Sequence, residues 1–171
     1  MTHIVQTMNW DGRPVTISWL PLPFEPPLDQ TTQAYGICFT DNGDIVLITQ
    51  NNRYWNLPGG TVEDEETLAQ TLKREVWEEA CAEVVDWAYI GCQRIDDPES
   101  PIGRTHYYQS RFWARVTLQE FKPQFETVAR KIVSPDQFLS SLSWGNAPPA
   151  ALILAAGLKF EEVRKQSCNL L

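Results

Sequence analysis

Glu75, Glu78 and Glu79 are spaced at i, i+3 and i+4, so a helix through them carries three carboxylates on one side. Like charges that close weaken an isolated helix by about 0.2–0.5 kcal/mol per pair, which calls for a compensating cation. Arg74 precedes Glu78 by four residues and can pair with it. A divalent metal ion is the other candidate, since hard cations take carboxylate oxygens. Just upstream, Gly59-Gly60 turns into the acidic run Thr61-Val62-Glu63-Asp64-Glu65-Glu66, and glycines let backbone approach a cation closely. Taken alone, such a charge run more often means a solvated helix face.

The carboxylates need an element that holds them still. Thr67-Leu68-Ala69-Gln70 has the form of a capping box, with Thr67 at the N-cap and Gln70 reaching back. The helix should run from Leu68 to Ala80, with Leu68, Ala69, Leu72, Val76 and Ala80 in one apolar stripe. Glu75 and Glu78 lie just outside one border of that stripe and Glu79 just inside it. Carboxylates on the rim of a packed face are fixed in place, as metal ligands must be.

The remaining elements read mainly as strands. Ile4–Trp10 and Arg13–Leu20 flank Asp11-Gly12, a type I′ hairpin signal, with Pro14 better suited to an edge. Pro21–Pro27 is too rich in proline for helix or ladder and reads as an arm packed through Leu22 and Phe24. A second hairpin is expected for Gln33–Thr40 and Asp44–Gln50 about Asp41-Asn42-Gly43. Within it, the unbroken apolar run Ile45–Ile48 implies cover on both faces. Further strands are expected at Val84–Ile95, Thr105–Leu118 and Val128–Val133. The loops fall at Asp96–Gly103 and Gln119–Thr127. A short helix is expected at Pro135–Leu139 and a longer one at Pro149–Lys165. Hairpins dominate over βαβ repeats, so the class is α+β.

A length of 171 residues suits one domain, 1–171, with 1–30 as an amino-terminal hairpin and arm. A net charge of −8 argues against stable nucleic-acid or anionic-membrane binding, while a bound metal leaves room for a nucleotide ligand. Cys38, Cys81, Cys92 and Cys168 show no ligand spacing and read as free thiols in a reducing cytosol. No secretory signal is visible, and the apolar run Ala150–Ala156 is too short to cross a bilayer. A cytoplasmic protein is expected.

The glycine-to-helix stretch resembles the Nudix hydrolase family. The family pattern of Gly, Glu and Arg-Glu-hydrophobe-x-Glu-Glu reads here as Gly60, Glu66 and Arg74-Glu75-Val76-Trp77-Glu78-Glu79, led in by Leu57-Pro58-Gly59. This spacing reverses the bland reading of the charge run. One departure is that Cys81-Ala82 replaces the usual Gly and larger hydrophobe. A cysteine ending the helix in a left-handed conformation carries about 1 kcal/mol of strain, unless the helix ends differently.

The resemblance implies a mixed sheet sandwiched between helices and hydrolysis of a phosphoanhydride in a nucleoside diphosphate linked to another group. It implies Mg²⁺ or Mn²⁺ held by Glu75, Glu78, Glu79 and the Gly60 carbonyl. Arg74 would orient a glutamate, and Gly59 and Glu66 would support the loop. The general base is either Glu126, in the late loop, or Glu78 or Glu79. His106 on its strand is more readily packed than catalytic, and His3 carries no role. Arg53 is a candidate phosphate contact, and Trp55 a candidate stacking wall. Tyr107, Tyr108 and Trp113 read as core rather than wall. Pro98, sixteen residues after Ala82, has the spacing of ADP-sugar-cleaving members, and a MutT-type role on nucleoside triphosphates stays open. A non-catalytic nucleotide-sensing module is the alternative, since it too would tolerate an altered box. Many relatives pair as homodimers, for which the hairpin and arm are the natural contact.

Overall fold

A computed structural model describes residues 4–168, which leaves His3 outside the described residues. β1 (Ile4–Trp10) and β2 (Arg13–Pro21) form the expected hairpin, and Asp11 (φ 51°) and Gly12 (φ 86°) supply the two positive φ values of a type I′ turn. Contrary to the edge expectation, β2 is interior: Thr16–Pro21 pairs with β7 (Ala82–Asp96). Pro14 precedes that pairing, so its missing N–H removes no bond to β7. The arm that follows packs on the body. Its Phe24 ring lies 5.9 Å from Tyr108, and the Tyr89 hydroxyl donates to the Phe24 carbonyl at 3.0 Å. Leu22 stays 43% exposed and anchors little.

Next come β3 (Thr31–Phe39), β4 (Ile45–Thr49), β5 (Trp55–Asn56), β6 (Gly59–Thr61) and α1 (Leu68–Ala80). After β7 follow β8 (His106–Leu118), β9 (Ala129–Val133), α2 (Pro135–Ser141) and α3 (Pro148–Cys168). The strands make one sheet in the order β1-β2-β7-β8-β3-β4-β5, with β6 on β3 and β9 on β4. β3 and β8 run parallel, and the other pairings are antiparallel.

The second hairpin closes only at its tip, where Phe39 pairs with Ile45. Beyond that pair the strands part, and β6 takes over the edge of β3 through Ala34–Gly60 and Tyr35–Gly59. Sequence alternation alone could not show this, because the intruding strand is three residues long and lies fourteen or more residues downstream of β4's start. The divergence brings the two glycines into the sheet beside α1.

Helices cover both faces, as the α+β sandwich requires. α1 buries Leu72, Val76 and Ala80 against Ala34, Cys38, Val46 and Phe112. Fully burying a side chain the size of Leu72 or Val76 stabilises by about 1.5–3 kcal/mol each. α2 and α3 bury Phe138, Ala150 and Ile153 against Ile37, Phe39, Leu47 and Trp113 on the opposite face. Ile45–Ile48 is therefore buried on both sides, as its unbroken apolar run implies. α3 is pinned to β8 by Glu161, which accepts from Trp113 Nε1 at 3.0 Å and, through both its oxygens, from Arg115 at 2.6 and 2.8 Å. Among the described residues no helix is long and apolar enough to cross a membrane.

Candidate active site

Both ends of α1 are built for rigidity. At its start the capping box is complete: Thr67 Oγ1 accepts from Gln70 N at 3.2 Å, and Gln70 Oε1 accepts from Thr67 N at 2.8 Å. At its end Cys81 takes the left-handed conformation, φ 47° and ψ 51°, and its N–H donates to the Trp77 carbonyl. The cysteine thus accepts the strain that glycine would avoid. Arg130 from β9 compensates, donating to the carbonyls of Ala80 at 2.7 Å and Cys81 at 3.1 Å. A cation on these terminal carbonyls satisfies acceptors that the helix itself leaves open.

Arg74 is the hub of the acidic cluster. It grips Glu66 in a two-pronged contact at 2.7 and 3.0 Å, and also donates to Glu75 (2.9 Å), Glu78 (3.5 Å) and the Thr61 carbonyl (3.0 Å). Thr71 Oγ1 and the Glu63 N–H complete the shell around Glu66. The Arg74 hydrogen bonds hold the Glu66 carboxyl down at about 2. Glu75 lies against Gly60 so closely that a Cβ there would overlap its carboxylate. Burial pushes the Glu75 carboxyl up from its ordinary value, with Arg74 opposing.

Glu79 is different. Its Oε2 accepts from the Gly59 N–H at 2.9 Å and its Oε1 from Gln50 Nε2 at 3.3 Å. Among the described residues no arginine or lysine forms an ion pair with it. Burial, aided by the negative charges of Glu75 and Glu126, pushes the Glu79 carboxyl up to about 7. Gly59 (φ 147°) could not be another residue, because a Cβ would collide with the backbone of Ala34 and Tyr35.

The acidic residues are gathered but not closed into a cage: among the described residues, no group of acidic, histidine or cysteine side chains is already arranged to hold a metal. Arg74 holds Glu75 and Glu78, while Gly59 holds Glu79. Glu75, Glu78, Glu79 and the Gly60 carbonyl could offer a hard divalent cation oxygen donors only, the chemistry such a cation takes. A half-buried Glu79, its ionised form disfavoured and without a cationic partner among the described residues, is what such an ion would relieve.

Glu79 and Gly59 line a cavity of about 280 Å³ together with Tyr35, Gln50, Tyr54 and Asn56. Of the other sequence candidates, Glu126 is exposed, in the loop before β9, and acts on the Glu79 charge. Arg53 is exposed on the turn before β5 and does not line this cavity. Trp55 packs toward the core under the Lys131 ammonium, 4.0 Å from its ring centroid, and neighbouring Tyr54 lines the cavity instead. His106 sits exposed where β8 begins, opposite Asp96. Tyr107, Tyr108 and Trp113 are buried, as core residues are. Pro98 lies exposed in the β7–β8 loop. Sequence reasoning missed Tyr35, Gln50, Tyr54 and Arg130. The roles of the first three follow from the parting of β3 and β4, and that of Arg130 from the pairing of β9 with β4, neither of which a local pattern announces.

The family model for the NUDIX domain matches residues 30–155. The chain belongs to the Nudix family. A comparison with curated proteins gives no match, but solved structures share the Nudix fold. A mutant form of the Bacillus subtilis pyrophosphohydrolase BsRppH is 22% identical, with a TM-score of 0.68 over 94% of this chain and 98% of that one. A Streptococcus suis ADP-ribose pyrophosphatase is 24% identical, with a TM-score of 0.52 over 74% and 91%. A MutT structure, from a study of the Aliivibrio salmonicida and Vibrio cholerae proteins, is 17% identical, with a TM-score of 0.55 over 75% and 98%. At these identities the likeness extends to the Nudix fold, and the expected mixed sheet between helices is the one observed.

Proposed function

We propose that this Nudix protein hydrolyses a phosphoanhydride bond in a nucleoside diphosphate linked to a second group, either a nucleotide sugar such as ADP-ribose or a nucleoside triphosphate. The observation that carries this reading is Glu79, a half-buried carboxylate oriented by Gly59, without a cationic partner among the described residues, at the wall of a cavity. Glu75, Glu78, Glu79 and the Gly60 carbonyl would hold Mg²⁺ or Mn²⁺, consistent with the divalent metals that Nudix enzymes generally use. The bound ion would supply charge neutralisation on the diphosphate and a lowered pKa for attacking water.

The chain's own residues divide the remaining work. Arg74 positions Glu75 and Glu78, and Glu66 fixes Arg74. The Gly59 N–H and Gln50 aim Glu79. Glu126, exposed yet near enough to act on Glu79, accepts the proton of the attacking water as general base. Tyr35 and Tyr54 wall the cavity that receives the substrate.

Release of phosphate or nucleoside monophosphate from ADP-ribose, deoxynucleoside triphosphates and dinucleotides, with Mg²⁺ or Mn²⁺, tests the reading. Binding of one of these without turnover by any would make the protein a nucleotide-sensing module instead.

A further inference from the structure

Arg111, in the middle of β8, is 4% exposed, and its hydrogen bonds go to neutral groups. Its guanidinium donates to Gln93 Oε1, to Gln109 Oε1 at 3.0 Å and to the Ser110 carbonyl at 3.2 Å. It lies over the Tyr35 ring, 4.6 Å from the centroid. Nε has no partner among the described residues. Burial pulls the guanidinium down to about 10, so it keeps its charge at neutrality.

Arg115 sits on the same strand and the same face and shows the contrast: its guanidinium is matched by both oxygens of Glu161. A buried cation with no carboxylate partner is a costly arrangement that native proteins seldom leave unexplained. An electron-rich ligand group explains it.

The space beside Arg111 fits such a group. It lines a pocket of about 180 Å³, below the ~300–1,000 Å³ of drug-sized sites, enough for one ring system rather than a whole nucleotide. Trp10, Tyr35, Tyr54 and Trp144 supply aromatic walls, and Gln93 and Gln109 supply amides. Tyr35, Tyr54 and Asn56 also line the cavity that holds Glu79, so the two spaces adjoin. A phosphate is the poorer occupant, because it would meet aromatic walls and a single cation.

We propose that this pocket receives the nucleobase of the substrate and that the Arg111 guanidinium, where it lines the pocket, donates to a keto oxygen on it, selecting 6-keto over 6-amino purines. The proposal rests on the hydrolase reading for the position of the phosphates. Gln109 is held for this task by its donation to Gln33 Oε1, and Tyr35 holds the guanidinium plane from below.

Inosine and adenosine nucleotides differ at the purine 6-position and its adjacent ring proton, so ITP and ATP are the probes. In the wild type, kcat/KM should favour ITP by about tenfold or more, the scale of one well-made polar base contact. In R111M the ratio should fall to within about twofold, because kcat/KM drops more with ITP than with ATP. Binding of IMP and AMP should show the same preference, and R111K covers the case in which R111M does not fold, again with a reduced ratio. Equal kcat/KM for ITP and ATP in the wild type overturns the proposal while leaving the hydrolase reading intact. So does an unchanged ratio in a folded Arg111 variant, or Arg111-dependent competition by inorganic phosphate against the base. Failure of any nucleotide to bind or turn over overturns the hydrolase reading itself, and this proposal with it.

Discussion

Substituting Glu79 with glutamine separates the cost of the carboxylate from its use. The Glu79 carboxyl stands at about 7 in the folded protein against an ordinary 4.5. The folded state therefore binds this proton more tightly than the unfolded state, and stability falls as pH rises from 4.5 through 7. At 1.36 kcal/mol for each unit of difference, the full penalty is about 3 kcal/mol, an order-of-magnitude ceiling. Glutamine is neutral, nearly isosteric and still able to accept from Gly59 N–H. Without metal, E79Q should therefore be about 1–3 kcal/mol more stable than wild type at pH 8 and nearly equal to it at pH 4.5. Urea unfolding followed by tryptophan fluorescence in the presence of a chelator reads this directly. Added Mg²⁺ should stabilise the wild type, because a ligand that binds only the folded state does so, and should leave E79Q unmoved. Equal destabilisation of E79Q at both pH values would refute the reasoning, since it would mean that the charge is already compensated.

Four further outcomes are expected. C81G should be neutral or stabilising by up to about 1 kcal/mol in thermal or urea unfolding, because Cys81 sits at φ 47°. R130M should cost about 1–2 kcal/mol, with faster amide exchange at the end of α1, because the Ala80 and Cys81 carbonyls lose their donor. E66Q should lose stability at pH 7 but not near pH 2, as urea unfolding at the two pH values would show: a carboxyl held down at about 2 contributes above its unfolded value of 4.5, and that contribution disappears as pH falls through 2. E126Q should lower kcat by about 10²-fold or more with little change in KM, the scale of a lost general base; an unchanged kcat would move that role to Glu78 or Glu79.

The site helix was legible in the sequence because its signals are local. The Thr67–Gln70 box and the apolar stripe depend only on residues within a few turns, and α1 spans Leu68–Ala80 as they imply. The first hairpin was legible for the same reason, through Asp11-Gly12. What escaped is non-local. Nothing within Gln33–Gln50 reveals that β6 displaces β4 from β3, or that β2 joins β7 rather than lying at an edge. Arg111 was hidden in a strand of aromatic and polar residues, where only the absence of a carboxylate partner distinguishes it from Arg115. Arg130 likewise gains meaning only when β9 brings it to the end of α1.

The central claim is that Glu79 and its neighbours serve a metal-dependent hydrolysis, and the most direct test is product release with and without Mg²⁺. Wild type should release phosphate or nucleoside monophosphate from at least one nucleotide of the panel in Mg²⁺ or Mn²⁺, stop when the metal is chelated, and lose about 10²-fold or more in E79Q. Nucleotide binding without release in either metal, or full activity in E79Q, would contradict it.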